Sequence, residues 1–160
     1  MAVIQLLIDT ENVEADSKDK DGRTPLSWAS WDGRKDIVQL LLNTEKVKVN
    51  SKDQLGRTPL SYASEAGCEA VVQLLLDIEK VEADSTDKDG RTPLSWARTC
   101  RRGSEAVVQL LLGTEKVEPD SKAKNGRTPL SWACRYGYEA VVQLLLDTGK
   151  VNINSVDADG

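Results

Sequence analysis

The chain of 160 residues contains no histidine. That removes the side chain most used as a general base near neutral pH and the commonest nitrogen ligand for metals. Cysteine is scarce. Cys68, Cys100 and Cys134 make an odd number without metal-ligand spacing, so neither a disulfide framework nor a zinc site is expected. A reducing, intracellular setting is the default expectation: cytoplasmic, with the nucleus also open. No apolar run approaches the roughly 20 residues that span a bilayer. The opening MAVIQLLID is short and lacks the basic residues of a signal peptide, so no membrane role is expected. Positive charge is in deficit too. With a net charge of −5 and no general basic face, the chain is not expected to bind nucleic acid, whose phosphates demand cations.

What is present is repetition. GRTPLSWA begins at Gly22, Gly90 and Gly126, and GRTPLSYA at Gly56, giving intervals of 34, 34 and 36 residues. Each copy is followed by IVQLLL or VVQLLL, ending at Leu42, Leu76, Leu112 and Leu146. Self-similarity at this period marks an array in which each unit buries its apolar face only on its neighbours. With 39% hydrophobic and 29% charged residues, the composition suits a folded chain and not a disordered one. The repeats are delimited as 19–52, 53–86, 87–122 and 123–156, the third carrying a two-residue insertion. Residues 1–18 read as a partial repeat with only its second helix and return, and 157–160 as the start of a truncated one.

The unit from Asp53 to Thr86 shows the local logic. Asp53 and Gly56 punctuate a tight reversal, with glycine free to take positive φ. Thr58 is a good N-cap, and Pro59 falls at the first helical position, where its missing N–H costs nothing. The first helix is predicted from Pro59 to about Glu65, ending near Gly67. The second is predicted from about Glu69 to Asp77, with Val71, Val72, Leu74, Leu75 and Leu76 covering most of its circumference. A helix that apolar must be covered on more than one side. Ordering 34 residues costs on the order of 1–2 kcal/mol each. A few large side chains return about 1.5–3 kcal/mol apiece when buried. Stacking makes the fold.

Turn, T-P-L-x-x-A helix, glycine loop, V-V-x-L-L-L helix and return together resemble the ankyrin repeat, and the likeness covers nearly the whole chain. The resemblance implies an all-α repeat solenoid of helix–turn–helix units with projecting β-hairpin or turn loops. It also implies a concave side, made of first helices and turn tips, that binds another protein. The family's TPLH histidine is serine here, at Ser27, Ser61, Ser95 and Ser131. Serine bonds locally to the helix N-terminus but cannot span the distance that an imidazole does. TPLSWA together with the EKVEAD return is similar to the multi-repeat arrays common in fungal proteins, often beside a nucleotide-binding NACHT module. No such module is present in these residues.

Residues 2–17 match 70–85, so the chain is expected to open on the second helix of a repeat and to close on the start of another. A fragment of a longer array is the expectation. The last helix, Glu139 to Asp147, is as apolar as the internal ones and carries no polar cap.

Two invariant ladders accompany the repeats. Trp28, Tyr62, Trp96 and Trp132 are expected to pack as framework between first helices, because specificity needs differences between copies. Arg23, Arg57, Arg91 and Arg127 are expected to pair with turn aspartates such as Asp19, Asp53 and Asp87. The variable positions carry the functional expectation. These are Trp31 and Asp32, Leu55, Glu65, Arg135 and Tyr136, with Arg98, Arg101 and Arg102 around the insertion. Those arginines have two open readings: a basic spot for an acidic or phosphorylated partner segment, or a loop extension without a role. Cys100 among them is read as a spectator thiol, a redox role being the alternative. Cys134 stands where the family has alanine and is expected to be buried. Cys68 stands where the family often has histidine.

Neither GxSxG, a P-loop, GxGxxG nor a metal-ligand cluster occurs, and the carboxylates recur at solvated, repeat-equivalent positions. The expectation is a non-enzyme without cofactor that recognises a protein partner, as a scaffold or as the sensing segment of a larger protein. Its alternatives are a passive spacer or assembly module joined through uncapped ends, and a redox-sensitive thiol protein.

Overall fold

The computed structural model describes residues 15–44, 46–97 and 104–158. Among the described residues eight helices follow in four pairs: α1 (Pro25–Trp31) with α2 (Lys35–Leu42), α3 (Pro59–Ala66) with α4 (Glu69–Leu76), α5 (Pro93–Trp96) with α6 (Ser104–Leu112), and α7 (Pro129–Tyr136) with α8 (Glu139–Asp147). First helices stack on first helices and second on second, so the described residues form two helical layers of an all-α solenoid.

Each first helix starts where its threonine dictates. Thr24, Thr58, Thr92 and Thr128 sit in extended backbone, and each hydroxyl accepts from the N–H three residues on, at 3.2 to 3.3 Å. Proline follows at the first helical position in all four. The serine that replaces the family's histidine closes the cap from the other side. Ser61 Oγ accepts from Thr58 N at 3.4 Å, and Ser131 Oγ from Thr128 N at 3.0 Å, completing capping boxes on α3 and α7. The left-handed Gly67 and Gly137 stop these helices, at φ 68° and 69°. In the third repeat the first helix is only four residues long. The insertion that follows lies outside the described residues.

The core is one continuous layer. Leu26, Val38, Leu60, Val71, Val72, Leu75, Leu94, Val107, Val108, Leu111, Leu130 and Leu145 are buried and mutually packed. Val81 and Val117 from the return loops close the layer beneath the second helices. At roughly 25 cal/mol per Å² of apolar area, this continuity is the main stabilising term.

Where the resemblance implies hairpins, the described residues form tight turns and no strand. In the second turn Asp53 N donates to Arg57 O at 3.0 Å and Gly56 N to Asp53 O at 3.0 Å. One backbone bond links each turn to the next: Gln54 N to Asp21 O, Lys88 N to Leu55 O, Lys124 N to Asp89 O and Ala158 N to Asn125 O, at 2.8 to 2.9 Å. Glycine is required at Gly56 on two counts. Its φ is +81°, and a Cβ would come within 2.9 Å of Lys88 N in the neighbouring turn.

Burial follows position in the stack. Ser30 and Ser64 are fully buried by the first helix that comes next, whereas Cys134, at the equivalent position of α7, is exposed. The expectation of a buried Cys134 is therefore wrong: no further first helix lies beyond α7 among the described residues. Leu146 and Ile153 at the same end are exposed, while Ala83, the counterpart of Ile153, is buried.

Candidate partner-binding face

The turns and first helices share one face, organised around an aspartate, an arginine and an aromatic ring in each repeat. In the second repeat the Asp53 carboxylate accepts from Leu55 N and Arg57 N at 2.8 Å, from Arg57 Nε at 3.2 Å and from the Tyr62 hydroxyl at 2.6 Å. The Arg57 guanidinium lies 4.3 Å from the Tyr62 ring centre and 5.7 Å from that of Trp96 in the next repeat. Burial pushes the Asp53 carboxyl up, but the Tyr62 hydroxyl, the Arg57 N–H and charge, and the Leu55 N–H outweigh it and hold the group below its ordinary range. Burial, then the bond to Asp53, raises the Tyr62 phenol.

The first and third repeats build the same unit. Asp19 pairs ionically with Arg23 Nε at 3.3 Å and accepts from Trp28 Nε1 at 3.0 Å; Asp87 accepts from Arg91 Nε at 3.1 Å and Trp96 Nε1 at 3.2 Å. In both, the guanidinium sits 4.3 Å from the indole ring. The arginine ladder is thus bound to the turn aspartates and the aromatic ladder to both. The fourth repeat departs. Ala123 stands in the place of the aspartate, and Arg127 Nε instead reaches Asp157 of the following turn at 2.7 Å, with its guanidinium 4.6 Å from the Trp132 ring.

Framework packing leaves unequal exposure. Tyr62, Trp96 and Trp132 are buried, whereas Trp28 at the end of the row is 44% exposed. Of the variable positions, Trp31 is exposed on the last residue of α1, with its ring edge-on to Tyr62 at 5.8 Å. Asp32 follows it, exposed, at the C-cap. Leu55 is 57% exposed on the second turn. Glu65 is half-buried and drawn into an ion pair with Arg57 at 3.3 Å. Arg135 and Tyr136 are exposed on the last turn of α7. Arg98, Arg101 and Arg102 lie outside the described residues, as does Cys100.

Two groups emerge. Trp31 and Tyr62 meet at the seam of the first and second repeats, beside the Arg57–Glu65 pair. At the far end Tyr136 stacks on Trp132 (6.0 Å, 9° between planes) and on Tyr138 (6.0 Å, 26°). Tyr138 is not among the residues expected from the sequence. It occupies the position before the second helix held by Arg34 and Cys68 elsewhere, so its variation between copies is the signal that could have found it. Invariance assigns Trp28 to the framework alone, and only the stack reveals its exposure.

Among the described residues no group of three His, Cys, Asp or Glu side chains is placed to hold a metal ion, and no helix is long and apolar enough to cross a membrane. The arrangement offers rings, an exposed aliphatic tip and fixed charges on a braced surface.

No curated protein matches the chain. The family model for ankyrin repeats (3 copies) matches residues 1–84 and again 72–157. Members are generally protein–protein interaction modules and typically not enzymes. The two matches overlap and together take in nearly every residue, including all four GRTPLS segments, and the helix pairs found in the structure are the units they describe. The chain belongs to the ankyrin repeat family.

Proposed function

We propose that the face built from the first helices and turns binds a protein partner, as a scaffold or as the sensing segment of a larger protein. The observation that carries this reading is exposure at positions that vary between copies. Trp31, Leu55 and Tyr136 are 39%, 57% and 53% exposed, while the repeated leucines Leu26, Leu60, Leu94 and Leu130 are buried. Aromatic side chains of this kind are enriched among residues that dominate binding energy. Because each ring is braced by a neighbouring ring, little side-chain entropy is lost on docking. Arg135, with Arg98, Arg101 and Arg102 around the insertion, favours a partner whose segment is acidic or phosphorylated. Asp32 and Glu65 border the aromatic group at the other end.

The test is affinity capture with the chain and with a Trp31→Ser/Tyr136→Ser variant of unchanged thermal midpoint. A partner held by the parent chain and lost from the variant supports the reading; equal capture by both sinks it. A second reading, an assembly module joined end to end, draws on the exposed Leu146, Ile153 and Val156. Light scattering across concentration decides it. Mass growth that Leu146→Gln with Ile153→Asn abolishes would favour assembly, and a constant mass would remove it.

A further inference from the structure

Among the four front turns, the fourth is the one that omits the recurring carboxylate. Asp19, Asp53 and Asp87 each fill the pocket between arginine and aromatic ring in their own turn. Ala123 at the equivalent position ends at Cβ; Asn125 Oδ1 takes over the Arg127 N–H at 3.2 Å, and the turn supplies no carboxylate of its own. A cleft of about 310 Å³ opens there, lined by Asp89, Arg91, Ala123, Lys124, Asn125 and Trp132. The turn has lost its second acid as well, since Asn125 replaces the Asp21 and Asp89 of the first and third turns. Lys122, Lys124 and Arg127 remain, and no carboxylate occurs between Asp120 and Glu139. The two acids that reach this region from neighbouring turns are each held by an arginine: Asp89 by Arg91, and Asp157 by Arg127. The local balance is cationic on a chain that is acidic overall.

We propose that the cleft at Ala123 receives an aspartate or glutamate side chain of the partner, whose carboxylate takes the place that the chain's own aspartates fill in the first three turns. The sister turns supply the precedent for the ligand. In the third, a carboxylate accepts from Asp89 N at 2.8 Å, Arg91 N at 2.9 Å and Trp96 Nε1 at 3.2 Å, against the face of the same kind of ring. The fourth turn keeps that ring in Trp132, and Lys124, which matches Lys20 and Lys88 of the first and third turns, lines the cleft. An incoming carboxylate gains a charge-assisted bond there in a partly desolvated setting, where such bonds are strongest. This rests on the partner-binding reading above and narrows it to one anchor.

The experiment is a ¹H–¹⁵N NMR titration of the whole chain with Ac-Gly-Glu-Gly-NH2, with Ac-Gly-Gln-Gly-NH2 and with inorganic phosphate. The glutamate peptide is expected to shift the Trp132 indole and the Ala123 and Lys124 amides. The glutamine peptide should bind about tenfold more weakly, the size of one charged hydrogen bond. Ala123→Asp supplies the carboxylate from within. It should abolish the response while leaving the urea midpoint unchanged or raised, so a lost response is not a lost fold. Lys124→Gln should weaken the glutamate peptide several-fold. Equal shifts from both peptides, an undiminished response in Ala123→Asp, or a response to phosphate alone would each overturn the assignment. If the cleft fails while Trp31→Ser/Tyr136→Ser still loses its captured partner, the surface reading stands and only the anchor falls.

Discussion

At the front turns the recurring short side chain is a carboxylate, in Asp19, Asp53 and Asp87. At the return loops the recurring position is an acid in Asp16, Asp84 and Asp120 and an amide in Asn50 and Asn154. Both rows hold turns in place, but their surroundings differ. Every group that meets Asp53 is a donor: two backbone N–H groups, a guanidinium and a phenol. Asn50 meets one donor and one acceptor of the next return loop. Its Oδ1 accepts from Glu82 N at 3.0 Å and its Nδ2 donates to Lys80 O at 2.7 Å. An ionised acid suits the first setting and an amide the second. Where Asp84 and Asp120 occupy the second, each leaves a buried Oδ1 with no hydrogen-bond partner.

Exchanging the chemistry of the two rows should break this division, most of all at the front. Asp53→Asn keeps shape but sets an NH2 group against Arg57 and Tyr62. A loss of about 2–3 kcal/mol in urea unfolding near neutral pH is expected, since charged acceptors contribute more than neutral ones. The sign with pH follows from the folded carboxyl lying below its ordinary value of 3.8. Its contribution is complete above that value and is lost as pH falls through the folded pKa. The gap between parent and variant should therefore narrow in acid. A gap that stays constant would place the loss in the amide's misdirected NH2 group and not in the missing charge.

Asn50→Asp is the reverse exchange and should cost less, about 1–2 kcal/mol, because one carboxylate oxygen would face the Lys80 carbonyl without a proton between them. Urea unfolding near neutral pH checks it, and an unchanged midpoint would mean that the return loops do not depend on this bridge.

Much of this division is legible in the amino-acid sequence. Thr58, Pro59 and Gly67 bound α3 through local geometry, which a sequence carries in full. The pairing of Arg57 with Asp53 is equally plain because the two lie four residues apart in a turn. Exposure is not, because it depends on the neighbouring repeat: Ser64 and Cys134 occupy equivalent positions and differ only in what covers them. Glu65 reads as partner-facing because it varies, but Arg57 reaches it across the face. Ala123 stands out in SKAKNG beside SKDQLG. Its meaning requires knowing that the missing carboxylate bonds an aromatic side chain nine residues on.

The smallest effect expected, Asp84→Asn, is the one that improves on the natural chain. Burial, then the nearby Glu118 charge, raises the Asp84 carboxyl above 3.8, only partly offset by the Glu118 N–H and the Ser121 hydroxyl. A raised folded pKa means that the folded state holds the proton more tightly, so stability falls as pH climbs from 3.8 through the folded value. At neutral pH the full penalty applies. An amide carries no charge to desolvate and brings its own donor, so Asp84→Asn should raise the unfolding free energy by about 1 kcal/mol at neutral pH. The gain should fade once the medium is acidic enough to protonate Asp84 in both states. Denaturation curves for parent and variant across that range decide the matter. A gain that persists in acid would place its source in packing, and a loss at neutral pH would show that the return row needs its charge.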